Sequence, residues 1–284
     1  MAIGWVTKER WKAPPAEEEK AEASVSPALR LLYWLYERRL VRQTRDGPIP
    51  RHVGIILDGN RRYGRRTGLY DTRRLYALGA EKLDGILAWC GELHIPAVTL
   101  WVFSTANLHR RSAEVTSVLG AVEAKLTSLT CDTRLHQGHV RVRAIGRLEL
   151  LPESTRLAIR AAEKATAHYD AVVLTIAVAY GGREEIVDAV RALLTEKAKQ
   201  GVPLAEVAAT ITPTEITRHL YTAGLPDPDL IIRTSGEIRL SGFLLWQSAY
   251  SEFYFSDVYW PAFRKIDFLR AIRAFQQRQR RLGL

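Results

Sequence analysis

An aspartate followed by glycine, asparagine and two arginines, Asp58-Gly59-Asn60-Arg61-Arg62, stands directly after the apolar run His52–Leu57, with Arg65 and Arg66 just beyond. Glycine lets a backbone approach a ligand closely, and the start of a following helix offers free N–H groups and a positive dipole end to an anion. Guanidinium forks match phosphate oxygens. A lone carboxylate among so many cations makes sense if Asp58 holds Mg²⁺ against a diphosphate. By itself D-G-N is an ordinary turn, and arginines on a short helix are ordinary solvated surface. The same chemistry recurs after a second apolar run, where Asp227-Pro228-Asp229-Leu230-Ile231-Ile232 leads into Arg233-Thr234-Ser235-Gly236-Glu237 and Arg239-Leu240-Ser241-Gly242. Two arginines six residues apart with the Ser241 hydroxyl suit a second diphosphate. A third polar and basic segment, Ser104 to Arg111, contains Asn107 and Arg110 and also reads as a helix N-cap. Finally, Trp246–Tyr254 is aromatic-rich, with its aromatics expected in the core, and holds one carboxylate, Glu252, which needs a partner or a metal there.

These clusters need elements to position them. Short apolar runs predict strands at His52–Leu57, Ala97–Phe103, Val140–Ile145, Ala171–Val178, Leu230–Arg233 and Phe253–Phe255. Helical spacing predicts helices over 74–93, 111–129, 153–168, 183–199 and 264–281. Alternation of this kind implies a single α/β domain over residues 48–284, a mostly parallel sheet covered by helices, which binds ligands beyond the carboxyl ends of its strands. Residues 1–27 are polar and rich in Pro, Ala and Glu and are expected to be a mobile tail. Within 28–47, Leu29, Leu32, Tyr33, Tyr36 and Leu40 recur at helical spacing with Arg38, Arg39 and Arg42 on other faces. Such a helix either packs on its own domain or a partner subunit, which is the commoner use, or lies on an anionic membrane.

The 284 residues are 47% hydrophobic, enough for a substantial core, and carry a net charge of +10. A basic balance points to nucleic acid, an anionic membrane or a phosphorylated small molecule, or is a solvated surface only. Nucleic acid is disfavoured because the arginines gather at strand ends and do not form one stripe. Cys90 falls in an apolar periodic stretch and neither cysteine has a metal-ligand spacing. Without a signal-peptide core or a spanning apolar run, a cytoplasmic protein is expected, with residues 28–43 able to touch the inner face of the membrane.

The segments HVGIILDGNRR, FSTANLHR, AYGGREEIVDAV, PDPDLIIRTSGE and RLSGFLLWQSAYSEFYFSDVYWPAF resemble, in order, the motif series of the cis-prenyltransferases, the undecaprenyl diphosphate synthase family. The likeness runs from about His52 to Gly283, and neither a P-loop nor the DDxxD box of the trans-acting synthases is present. It implies the cis-prenyltransferase fold and a Mg²⁺-dependent condensation of isopentenyl diphosphate with an allylic diphosphate such as geranyl diphosphate, giving a Z double bond. By the resemblance, Asp58 is the catalytic and metal-associated aspartate. Gly59, Asn60, Arg61 and Arg62 hold the allylic diphosphate, and Asn107 and Arg110 surround the reacting centre. Arg233, Arg239 and Ser241 take isopentenyl diphosphate, and Glu252 is the second metal carboxylate. Arg281 and Gly283 form the C-terminal R-x-G that reaches into the partner of a homodimer.

The chain departs from the family pattern at several places. Arg61-Arg62-Tyr63 stands where the family often has Gly-Arg-Trp, and Ala106 replaces a glutamate before the asparagine of the second motif. Tyr76 and Ile238 replace histidines, and Ala179 replaces an asparagine. Several of these changes, and the LYxxYExRL stretch at Leu32–Leu40, resemble the actinobacterial short-chain Z-farnesyl diphosphate synthases. A C15 product is therefore expected from an apolar tunnel walled by residues such as Leu83, Leu87, Val102, Val118 and Val122, with Val102 where long-chain members carry a smaller residue. A medium- or long-chain synthase, a head-to-middle condensing enzyme and a non-catalytic scaffold subunit of the same fold are the alternatives. Retention of Asp58 and of the Arg233–Ser241 segment speaks against the scaffold.

Overall fold

In the computed structural model, which describes residues 27–278, the chain runs α1 (Pro27–Arg45), β1 (His52–Ile56), α2 (Asn60–Thr67), α3 (Thr72–Leu93) and β2 (Ala97–Ser104). It continues through α4 (Ser112–Thr130), α5 (Thr133–Gln137), β3 (Val140–Ile145), α6 (Glu153–Thr166) and β4 (Val172–Tyr180). The remainder is α7 (Gly182–Lys199), α8 (Leu204–Thr210), α9 (Pro213–His219), β5 (Leu230–Arg233), β6 (Glu252–Phe255) and α10 (Lys265–Gln277). The expected strands and long helices are all present to within a few residues. Three short helices, α5, α8 and α9, were not expected; each is only five to seven residues long and too brief to show a period. The tail expected over 1–27 lies outside the described residues but for Pro27.

The six strands form one sheet in the order β3-β4-β2-β1-β5-β6, and every neighbouring pair is parallel. β1 therefore sits between β2 on one side and β5 on the other, and the chain builds outward first one way and then the other. That reversal places the natural crevice of the sheet at the carboxyl ends of its central strands. Side chains alternate across the pleat: Val53 and Ile55 enter the larger core with α3, α4 and α10, while Ile56 and Trp101 enter a smaller one on the opposite face with Phe243 and Leu244. Cys90 is fully buried, as expected.

α1 divides its roles along its length. Leu40 is fully buried against Ile266 and Leu269 of α10, so its second half packs on its own domain. Leu31, Leu32, Trp34 and Leu35 of its first half are exposed. The aromatics of the 246–254 segment are less buried than expected: Tyr250 is 78% exposed, and β6, where Phe253 and Phe255 lie, is half-buried because it is the edge of the sheet.

Candidate active site

Three adjacent strands, β2, β1 and β5, end at one crevice. β1 delivers Asp58. The next residue has φ +103°, and a Cβ there would meet Tyr259 at 2.8 Å and Ser235 at 2.9 Å, so only glycine suits position 59. Gly59 caps α2 without a side-chain bond, which leaves the first N–H groups of that helix free of a side-chain cap.

The two apolar runs separated by some 175 residues meet through charge. Arg233 Nη2 donates to Asp58 Oδ2 at 2.8 Å, and its Nη1 donates to Ser241 Oγ at 2.8 Å and to the Arg239 carbonyl at 2.5 Å. Arg62 lies 3.1 Å from Asp58 Oδ1 and donates to Ser235 Oγ at 2.7 Å and Glu237 Oε1 at 2.6 Å. Arg239 pairs with the other oxygen of Glu237. Burial pushes the Asp58 carboxyl up, but the Arg233 hydrogen bond and the charges of Arg233 and Arg62 outweigh it and hold the group below the usual carboxylate range. Arg233 is 4% exposed and its Nε has no acceptor among the described residues. A buried donor without an acceptor costs about 1–3 kcal/mol, which a phosphate oxygen would offset.

β2 delivers the third segment. Ser104 caps a single 3₁₀ turn: its Oγ accepts from Asn107 N at 3.2 Å and its N donates to Asn107 Oδ1 at 3.0 Å. The N-cap reading of this segment is correct, and Asn107 lines the crevice as well. Glu114, in the first turn of α4, gathers Arg110 at 2.9 Å, Arg61 at 3.7 Å and the Tyr76 hydroxyl at 2.9 Å. Burial and then the Glu114 bond push the Tyr76 phenol up to about 12, so it stays a donor. The backbone of the 235–244 segment is unusual, with Ser235, Ser241 and Leu244 all at positive φ. Non-glycine residues in that region carry strain of the kind that gathers at ligand loops.

Asp58, Gly59, Asn60, Arg61, Arg62, Asn107, Arg110, Arg233, Arg239 and Ser241 all line one polar crevice of about 1230 Å³ including its open side. Directly beneath lies an apolar cavity of about 620 Å³ including its mouth, and the two share Leu57, Asn60, Tyr76, Val102 and Val118. A cationic crevice above an apolar cavity fits a ligand with a diphosphate head and a hydrocarbon tail. Residues 56–283 match the family model for undecaprenyl diphosphate synthase.

The chain belongs to the undecaprenyl diphosphate synthase family, the cis-prenyltransferases. It is 56% identical over 255 residues to an isoprenyl transferase of Thermus thermophilus, covering 89% of this chain and 96% of the relative. It is 51% identical over 252 residues to a (2Z,6E)-farnesyl diphosphate synthase of Thermobifida fusca, covering 89% and 97%. Among solved structures, lavandulyl diphosphate synthase from Lavandula x intermedia in complex with dimethylallyl diphosphate superposes with a TM-score of 0.75 at 32% identity, covering 83% of this chain and 99% of that one.

Within this prenyltransferase, Glu252 does not join the Asp58 cluster. It opens β6 opposite Leu230 and bonds Arg278 at 2.7 Å, whereas Asp58 follows the carboxyl end of β1. Five residues along parallel strands and two strand spacings across put the two positions about 19 Å apart, at opposite ends of the sheet. Arg281 and Gly283 lie outside the described residues. Of the expected tunnel residues, Leu83, Val102, Val118 and Val122 line the cavity. Leu87 does not; it sits one turn further along α3, packed in the core. Ala106 is exposed, so no carboxylate stands at that point, and Ile238 is 79% exposed. Ala179 adopts φ +48°, a region that asparagine tolerates better than alanine. Glu114, Glu237 and Trp260, all at the site, were not expected from the sequence; only the four-residue spacing of Arg110 and Glu114 hinted at one of them.

Proposed function

We propose that the chain condenses isopentenyl diphosphate with an allylic diphosphate such as geranyl diphosphate and releases a short Z-product of about C15. The observation that carries this is the continuity between the arginine-lined crevice and the apolar cavity. In the reaction, the allylic C–O bond breaks, the isopentenyl double bond forms the new bond at the allylic C1, and a proton leaves the isopentenyl C2; diphosphate departs. Arg62 and the free N–H groups at the start of α2 hold the departing diphosphate. Arg233, Arg239 and Ser241 hold the head of isopentenyl diphosphate, orienting its double bond. The apolar wall of Val102, Val118 and Trp260 keeps water from the developing allylic cation.

Mg²⁺ belongs to the same proposal. Asp58 is a partly buried, ionised carboxylate, and no group of three potential ligands occurs among the described residues. That donor set suits an ion shared with substrate phosphates and not a protein cage. When bound, the ion would add positive charge against the leaving diphosphate.

Product analysis tests the reading. Purified protein with Mg²⁺, isopentenyl diphosphate and dimethylallyl, geranyl or farnesyl diphosphate should give a C15 Z-product from geranyl diphosphate; C50 or longer chains would overturn the short-chain part. Val102→Ala removes two methyl groups from the cavity wall and should lengthen the product, since a packed wall does not yield freely. An unchanged product would place the block elsewhere.

A homodimer is part of the proposal, with the half-buried edge strand β6 and exposed Tyr250 as the face offered to a second copy. The exposed Leu31–Leu35 run, flanked by Arg30, Arg38 and Arg39, is proposed as a peripheral contact with an anionic membrane. Among the described residues, no helix is long and apolar enough to cross one. Sedimentation of the full chain should give a dimer mass without lipid, and pelleting with phosphatidylglycerol vesicles that Trp34→Ala weakens. An active monomer, or pelleting indifferent to that change, would refute the respective part.

A further inference from the structure

We propose that the Lys125–Asp84 ion pair closes the far end of the apolar cavity and sets the upper limit of product length. The proposal rests on the elongation reading above. Helices α3 and α4 both begin at the carboxyl end of the sheet and run back along it, so depth in the cavity increases along each. α3 contributes Tyr76, Gly79, Ala80 and Leu83, and α4 contributes Val118, Ala121, Val122 and Lys125. Leu83 and Lys125 are the deepest on their helices, and Lys125 is the one charged residue among those lining the cavity. Val118 to Lys125 spans about 10 Å of helix axis, so the ammonium lies well below the diphosphate crevice.

The lysine stem lines the apolar wall while its head turns to Asp84, with Nζ 2.6 Å from Oδ1. The two side chains are only 14% and 21% exposed, and Arg134 adds a second cation 3.7 Å from the same oxygen. Above, the helices are tied near the mouth by Thr72–Ser117 at 2.9 Å and Tyr76–Glu114 at 2.9 Å. The Lys125–Asp84 pair is thus the corresponding tie at the other end. A growing hydrocarbon that reaches this depth must part the two charges and cover them with methyl groups that can neither accept nor donate a hydrogen bond. Elongation stops where that penalty exceeds the gain from burying another isoprene unit. Val102 narrows the cavity from the sheet side; the ion pair shuts its floor.

The test measures product length from geranyl diphosphate with excess isopentenyl diphosphate for wild type, Lys125→Ala, Lys125→Met and Asp84→Asn. All three variants remove the ion pair, Asp84→Asn leaving at most a neutral acceptor for Lys125, and Lys125→Met keeps the bulk of the stem. Each should raise the share of product longer than the wild-type maximum about tenfold, the change that a barrier lowered by about 1.4 kcal/mol gives. Wild-type distributions in all three overturn the proposal. Longer products from Lys125→Ala alone would mean that bulk, not the ion pair, forms the floor, and overturn it equally. Thermal midpoints identify a variant that fails to fold, in which case the remaining two decide. A wild type that makes no prenyl product from any allylic substrate would sink the elongation reading itself, an outcome distinct from an active enzyme indifferent to these changes.

Discussion

Asp58→Ala should lower turnover about a thousandfold, the scale of losing one preorganised electrostatic contact to a developing charge. The carboxylate has two functions in the proposed reaction: it holds Mg²⁺ against the allylic diphosphate, and it keeps Arg233 and Arg62 in place from opposite oxygens. Asp58→Asn separates them. The amide keeps an acceptor for one arginine but is a poor ligand for a hard cation, so turnover should fall nearly as far while Mg²⁺ titration loses its effect. Circular dichroism should show both variants folded, because Arg233 retains Ser241 and the Arg239 carbonyl. Acid stability offers an independent readout. The folded carboxyl lies below its ordinary value of 3.8, so its contribution is fully present above that value and is lost only as pH falls through the lower folded one. Wild type should therefore lose more stability below pH 4 than Asp58→Asn does. Near-normal turnover in Asp58→Ala would remove the aspartate from the mechanism.

Arg239→Ala should raise KM for isopentenyl diphosphate about 10- to 100-fold and move the allylic KM far less, the loss expected for one charge-assisted contact. Arg239 is the clean probe of the second subsite because its side chain is 58% exposed and its partner Glu237 keeps Arg62 when it is gone. Arg233 is not: it is buried and bonded to Asp58, so its removal would disturb both subsites at once. Glu237 bridges Arg62 and Arg239, the arginines assigned to different substrates, and offsets part of their charge before a diphosphate arrives. Equal KM changes for the two substrates would show that they share one anion site.

Much of the site was legible in the chain. Asp58 and Arg233 each follow an apolar run, and a parallel sheet brings the carboxyl ends of such runs to one edge, so ten of the thirteen expected residues line one crevice. Apolar runs and 3.6-residue spacing were strong enough to mark six strands and the long helices, because burial on both faces of the sheet demands those patterns. Glu252 shows where that reasoning fails. Its place directly before the predicted strand Phe253–Phe255 puts it at that strand's amino end, but the order of residues does not say whether so short a strand joins the sheet parallel, and only the β5–β6 pairing shows that this end faces away from the working edge. Leu87 and Leu83 are one turn apart and alike in type; only the packing of α3 against α4 decides that one lines the cavity and the other fills the core. Residue types in order thus determined the sheet, its working edge and the diphosphate chemistry, because each depends on local pattern and chain direction. Which charges pair across some 175 residues, how Glu114 and Glu237 tether the arginines, and that Lys125 turns from an apolar wall to Asp84 were decided by tertiary structure, since these contacts join residues that share no local period.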